Sequence, residues 1–306
     1  MKKVVSLVLA LIIAFSAMTM AFAADTSYKP YENSQYFTYG DYDIHYRVEP
    51  AKGEMKGRIL MIHGFVCSTY AWRNMAANLS SEGYECVMVD VPNFGFSTRE
   101  NGNMTIVDRE TLILELMKSI DPETENWILA GHSMGGGIAV NIATMVPVKA
   151  LMLYCPCPQN EFPQAAEKIV KTKAMEGFMN LFFKYGTKLN FLVKLVIFAA
   201  TNNWSFAMKY DVKGVTAPVQ YDGFGAGICE MMYNVKATDM EGAKNISCPV
   251  LLCQAEKDII LNDEQKAAMN DAFPNATTYF VKGGGHQCIE DRADELTKVT
   301  LDFLNK

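Results

Sequence analysis

Trp127-Ile128-Leu129-Ala130-Gly131-His132-Ser133-Met134-Gly135 decides how the rest of the chain is read. The first four residues form a short apolar run, the next five fit G-x-S-x-G, and small residues with helical spacing follow. A strand-turn-helix corner this tight strains the serine backbone, and a side chain at either glycine would collide with the neighbouring strand or helix. Such a corner pushes the Ser133 hydroxyl out at the carboxyl edge of a sheet. Alone, the pattern also fits a glycine-rich turn with a solvated serine, so the flanking chain must decide.

Strand and helix patterns alternate on both sides of it. Upstream, Tyr36 to Val48 alternates apolar with polar residues and reads as two short antiparallel strands at a sheet edge. Arg58 to Ile62 is the apolar run of a buried parallel strand and ends in His63-Gly64-Phe65. A helix from Trp72 to Ser81 stops at Gly83, and Cys86 to Val89 forms the next strand, closed by Asp90 to Ser97. Thr105 to Ile120 reads as a helix with Ile106, Ile113, Leu116 and Met117 on one face, broken by Asp121-Pro122. After Ser133 come a helix to about Met145 and a strand at Ala150 to Tyr154.

At Pro156 the alternation stops. The chain to Glu241 is rich in Met, Phe and Lys, with helical stretches near Gln164 to Tyr185 and Leu189 to Ala200. Alternation resumes with a strand at Pro249 to Cys253, a helix at Asp263 to Ala272, a strand at Thr277 to Val281 and a helix at Asp291 to Leu304. These patterns predict an α/β fold, a mostly parallel sheet with helices on both faces, interrupted by a helical cap over the carboxyl ends of the strands. The expected division is a leader at 1–23, core at 24–155, cap at 156–241 and core at 242–306.

Half of the 306 residues are hydrophobic and 20% are charged, which excludes a disordered or fibrous chain. The net charge of -6 argues against a nucleic-acid partner, which would need a basic surface. Lys2-Lys3, an apolar run from Val4 and the ending Ala21-Phe22-Ala23 match a secretory signal cleaved near Ala23, which predicts a secreted or periplasmic protein. An uncleaved N-terminal membrane anchor is the alternative, since about 20 apolar residues span a bilayer. Of the eight cysteines, Cys86, Cys155, Cys248 and Cys253 lie in or beside expected strands, where free thiols pack as small hydrophobes. Cys155-Pro156-Cys157-Pro158 lacks the second ligand pair of a zinc site, so neither metal nor cofactor is implied.

Ser133 is a poor nucleophile unless a base takes its proton, and that base is usually a histidine held by a carboxylate. The chain has four histidines. His45 lies at the amino-terminal edge, His63 ends an upstream strand, and His132 is expected to point away inside the elbow. His286, in the Gly283-Gly284-Gly285-His286 loop after the last strand, remains. The loop Glu256-Lys257-Asp258 offers the carboxylate: Asp258 is preferred for its shorter reach, Glu256 is expected to pair with lysine or solvent, and Glu161 is a weaker substitute. A tetrahedral oxyanion needs two preset backbone donors, assigned to the N–H groups of Met134 and Phe65.

Taken together these residues resemble the α/β-hydrolase superfamily from Tyr36 to Leu304. His63-Gly64-Phe65 is similar to its oxyanion loop, Asp90 to Ser97 to its D-x-P-G-x-G-x-S turn, and Gly131 to Gly136 to the elbow of its esterases, monoacylglycerol lipases and proline iminopeptidases. Asp258 and His286 match its acid and base positions, in the chain order serine, acid, histidine. The resemblance implies a cofactor-free hydrolase. Two departures stand out: Val66-Cys67 where many relatives carry glycines, and Asn93 where the turn usually has glycine. Cys67 and Cys288 flank the two loops, which leaves a thiol or a disulfide near the site open, with packing as the default.

The expected activity is hydrolysis of small carboxylic esters with a hydrophobic acyl or alcohol group, through an acyl-serine intermediate. The cap carries many Phe and Leu residues interleaved with Lys184, Lys188 and Lys194, which suits a greasy substrate and a transient lipid-surface contact, although the same side chains serve equally to pack the cap. Alternatives are an amide or peptide hydrolase of aminopeptidase type, a C–C hydrolase or perhydrolase using the same residues, and a non-catalytic binding protein that kept the fold. Oligomeric state is not legible.

Overall fold

The structure is a computed structural model that describes residues 29–100, 104–160, 163–221 and 223–306. The leader and Glu161 lie outside the described residues. Eight strands form one sheet in the order β1-β2-β4-β3-β5-β6-β7-β8. They are β1 (Ser34–Tyr39), β2 (Tyr42–Glu49), β3 (Gly57–Ile62), β4 (Tyr84–Val89), β5 (Trp127–His132), β6 (Ala150–Tyr154), β7 (Val250–Ala255) and β8 (Thr277–Val281). β1 and β2 pair antiparallel, as do β2 and β4, and every pairing from β4 through β8 is parallel.

Both faces of the parallel strands inside the sheet are buried, which is why they read as apolar runs, whereas β8 at the edge leaves Thr278 and Phe280 exposed. Side chains alternate between two cores: Leu60, Ile62, Val87, Val89 and Leu129 belong to one, and Ile59, Met61, Cys86, Met88 and Ile128 to the other. Helices α1 (Arg73–Ser81), α2 (Arg109–Ile120) and α3 (Met134–Met145) carry the crossovers. The first core packs Leu112 and Leu116 of α2 and Ile138 of α3, whereas the second packs Met75 and Leu79 of α1.

The helix expected from Thr105 begins four residues later. Asp108 accepts a hydrogen bond from the Thr111 N–H at 3.0 Å and caps α2, so Ile106 falls outside it and is exposed. Between β6 and β7 the described residues form helices only: α4 (Gln164–Val170), α5 (Lys173–Gly186), α6 (Asn190–Thr201), α7 (Trp204–Lys209), α8 (Lys213–Gln220), α9 (Phe224–Tyr233) and α10 (Met240–Ala243). The single stretch expected from Gln164 to Tyr185 is split where the Thr172 hydroxyl caps α5 through the Met175 N–H at 3.2 Å. After β7 comes α11 (Asp263–Ala272), and after β8 the final helix divides into a turn, α12 (Cys288–Asp291), and α13 (Ala293–Leu304), which adds Leu296 and Phe303 to the second core. Among the described residues no helix is long and apolar enough to cross a membrane.

The insertion rests on loops at the carboxyl edge of the sheet. Thr201 and Ala200, at the end of α6, accept hydrogen bonds from the N–H groups of Gly285 (3.1 Å) and Gln287 (2.8 Å). On the other side, the buried Arg99 donates to Pro218 O of α8 at 3.2 Å.

Candidate active site

Ser133 joins β5 to α3 with φ 53° and ψ -121°, a conformation few non-glycine residues adopt. Close packing holds it there. A Cβ on Gly131 would sit 2.4 Å from Gly135 O, and one on Gly135 would sit 2.3 Å from Ile62 O, so the elbow closes only because both positions lack side chains. The Ser133 N–H donates to Tyr154 O at 3.1 Å, and the Ser133 carbonyl accepts from Gly136 at 2.8 Å and Cys157 at 2.9 Å. Elbow and β6 are thereby tied together.

Three residues far apart in sequence meet at this corner. Ser133 Oγ lies 2.8 Å from His286 Nε2, and His286 Nδ1 lies 2.8 Å from Asp258 Oδ2. Asp258 Oδ1 accepts from the N–H groups of Ile260 at 2.9 Å and Leu261 at 3.1 Å. Burial opposes ionisation of Asp258, but its bond to His286 and these two backbone donors outweigh that and hold the carboxyl below its ordinary pKa. An ionised acceptor at Nδ1 assigns the imidazole proton there, leaving the Nε2 lone pair facing the serine hydroxyl.

The two loops brace each other. Lys257 donates its N–H to Gly284 O at 2.8 Å, and Glu256 donates to Val281 O at 3.1 Å. The Glu256 carboxylate turns outward, to the Gly283 N–H at 2.8 Å and to Lys257 at 3.5 Å, so it does not compete for the imidazole. Gly285 has no room for a side chain, since its Cβ would lie 2.5 Å from Ala200 O. Just beyond His286, Glu290 accepts from Arg73, from Tyr210 at 2.7 Å and from Gln287 at 3.1 Å, a brace whose two distant partners the sequence did not signal.

One histidine placement differs from expectation, and another gains an unforeseen role. His132 does not point away: its ring centroid is 5.1 Å from that of His286, and its Nε2 bonds His286 O at 2.9 Å. The loop after β8 folds back over the end of β5, so the residue before the serine supports the backbone that carries His286. Burial and the neighbouring His286 push the His132 pKa down to about 3. His45 sits in a second serine-histidine-aspartate chain, 2.8 Å from Ser34 Oγ and 2.7 Å from Asp90 Oδ2. All three residues are at most 1% exposed, and Ser34 Oγ also accepts from the Tyr31 N–H at 3.1 Å, within an ordinary strand. Buried this deeply, the chain ties the sheet edge to the Asp90 turn.

His63 is a strap as well. Its Nδ1 donates to Gly64 O at 2.7 Å and its Nε2 accepts from the Val91 N–H at 3.1 Å. The strap presses the His63-Gly64-Phe65 loop onto the elbow: a Cβ on Gly64 would lie 3.0 Å from Ser133 Cβ and 2.9 Å from His132 Nδ1. The Met134 N–H, at the first position of α3, is one of the donors that a helix start leaves unpaired. Both departures from glycine keep left-handed backbone, Val66 at φ 57° and Asn93 at φ 74°. Asparagine tolerates that region, and Asn93 uses its side chain to donate to Glu100 Oε2 at 2.6 Å and to accept from the Glu100 N–H at 2.6 Å. Val66 carries the strain of a β-branched residue there.

Cys67 and Cys288 have different neighbours, and all eight cysteines are free thiols. Cys288 Sγ lies 3.6 Å from Cys155 Sγ, while Cys67 sits against Gln287, because the turn after His286 runs back toward β6. Cys155, Asp258 and His286 also offer ligand atoms within 4.8 Å of one another. The trio fits a metal poorly: the acid and imidazole already bond each other, and the bond to Cys288 together with burial raises the Cys155 pKa well above its ordinary value, opposing the thiolate a metal needs.

The family model described as "alpha/beta hydrolase fold" matches residues 57–293. The chain belongs to the α/β-hydrolase family. It is similar to Methylesterase 4 of Arabidopsis thaliana, 21% identical over 261 residues, covering 82% of this chain and 97% of the relative. Among solved structures it is similar to the CarC serine hydrolase involved in carbazole degradation, with TM-score 0.68, 18% identity, and coverage of 89% of this chain and 98% of that one. It is also similar to the enol-lactonase from Burkholderia xenovorans LB400, with TM-score 0.66, 20% identity, and coverage of 89% and 100%. These findings make it a hydrolase of the α/β family, with esterase-like relatives.

Proposed function

We propose that the protein is a serine carboxylesterase acting on small esters with a hydrophobic acyl or alcohol group. The observation that carries this reading is the unbroken hydrogen-bonded chain from Ser133 through His286 to Asp258. As Ser133 Oγ attacks the ester carbonyl, its proton passes to His286 Nε2, and Asp258 stabilises the imidazolium through Nδ1. The tetrahedral oxyanion is held by the N–H groups of Phe65 and Met134, each such donor contributing roughly 100- to 1000-fold in turnover. His286 then protonates the departing alcohol, and water, activated by the same imidazole, releases the acid from Ser133.

The ester class draws support from the names of Methylesterase 4 and the enol-lactonase. A hydrophobic substrate group is supported by aromatic rings running from the oxyanion loop into the insertion. Phe65, 46% exposed, meets Phe94 at 5.5 Å between centroids, Phe94 meets Phe224 of α9 at 6.3 Å, and Phe224 meets Phe183 of α5 at 4.9 Å. Export belongs to the same reading, on the leader pattern of residues 1–23; a mature amino terminus at Ala24 is the expected result of N-terminal sequencing.

The test is a graded series of acyl esters and aminoacyl amides, with Ser133→Ala as control. Turnover of esters that rises with acyl length and vanishes in the mutant is expected. Turnover of the amides alone, or equal turnover in wild type and mutant, refutes it.

A further inference from the structure

The outer face of the insertion is apolar where a soluble surface would be polar. On α5, Phe178, Leu181, Phe182 and Tyr185 recur at helical spacing and share one face, while Phe183 turns inward to Phe224. Phe178 and Phe182 stack on each other at 6.3 Å. The exposed series continues through Leu189 into α6 with Phe191, Leu192 and Val196. These side chains are 48–65% exposed, and most other exposed large apolar residues of the molecule are scattered singly.

Charge says what such a face would meet. From α4 through α7 (164–209) the chain carries seven lysines and only two acids, a surplus of five positive charges on a protein whose net charge is -6. Both acids are already engaged, Glu167 with Lys171 and Glu176 with Lys173. Lys184, on α5, and Lys188, just after it, have no acidic partner among the described residues and border the apolar face. Apolar side chains flanked by lysines that lack an acidic partner, Lys188 lying 4.9 Å over the Tyr185 ring, match on an otherwise acidic molecule the interface of an anionic bilayer: rings and aliphatic groups enter the headgroup–acyl boundary while the lysines meet phosphate. A second copy of this chain would bring like charge onto like charge.

We propose that the α5–α6 face docks reversibly on anionic lipid membranes. The docking does not rest on the ester reading, since none of these side chains touches Ser133, His286 or Asp258. Co-sedimentation with phosphatidylcholine vesicles, with and without phosphatidylglycerol, tests it on the protein produced from the full chain. Every variant keeps the wild-type leader sequence, so differences report the face alone. Wild type and Ser133→Ala are expected to bind the anionic vesicles equally and to leave them at high salt. Lys184→Gln/Lys188→Gln lowers the partition roughly 30-fold, from about fivefold per lysine near an anionic surface. Phe182→Ser/Leu192→Ser abolishes binding while turnover of a soluble ester is unchanged. Equal binding to both vesicle types, unaltered binding by the variants, or a concentration-dependent dimer that the Phe182→Ser/Leu192→Ser variant dissolves would each overturn the proposal.

Discussion

Asp258→Asn isolates what the acid does for the imidazole. The two carboxylate oxygens have different tasks: Oδ1 accepts from the Ile260 and Leu261 N–H groups, and Oδ2 faces His286 Nδ1. An asparagine of the same shape must keep its carbonyl at the Oδ1 position, because an NH2 group there would meet two backbone donors. Its NH2 then faces Nδ1, which can accept only by shifting the imidazole proton to Nε2. A protonated Nε2 points N–H at Ser133 Oγ and cannot take the serine proton. The expected loss in kcat is about ten-thousand-fold, or about 5.5 kcal/mol of transition-state stabilisation, with little change in fold because no volume is altered. The assay is kcat on a soluble p-nitrophenyl ester beside a thermal melt. A variant within tenfold of wild type would refute the tautomer reasoning.

Ser34→Ala removes the hydroxyl that bonds His45 and Tyr31, and should cost about 1–3 kcal/mol of stability while kcat stays within twofold; a large loss of kcat at unchanged Tm would mean the wrong serine was chosen. Gly135→Ala places a Cβ 2.3 Å from Ile62 O, backbone that cannot yield, so a cost of about 3 kcal/mol and a fall in Tm of roughly 6–12 °C are expected, and an unchanged melt contradicts the close packing. His132, ordinarily near 6.5, is held down to about 3 in the folded chain. Its contribution to stability is full above pH 6.5 and is lost as pH falls toward 3, because the unfolded chain binds a proton that the folded one refuses. His132→Gln should flatten the acid limb of the unfolding free energy, measured by denaturant titration, by up to about 1.4 kcal/mol per pH unit, and parallel limbs would contradict the assignment.

Where burial on both sides leaves a continuous apolar run, the sequence is transparent: β3, β4, β5 and β6 lie where the patterns put them, and so does the edge strand β8, although its Thr278 and Phe280 are exposed. Boundaries set by a single hydrogen bond are less so. Ile106 continues the apolar spacing of α2, yet the Asp108 cap excludes it. Ser133, Asp258 and His286 were readable because each follows a strand whose carboxyl end faces the same edge. His45 with Asp90, and Cys288 with Cys155, were not, since those pairs depend on which strands become neighbours and on how the loop after β8 returns toward β6. The role of His132 was misjudged for the same reason: a support beneath a distant loop leaves no local trace.

The most direct measurement is active-site labelling. The folded protein is treated with a fluorophosphonate and the modified peptide is identified by mass spectrometry. A single adduct on Ser133, absent after mild acid unfolding and in the Ser133→Ala protein, is expected. An adduct on Ser34 or any other serine, or no adduct on a folded chain, contradicts the claim that His286 and Asp258 make this one hydroxyl reactive.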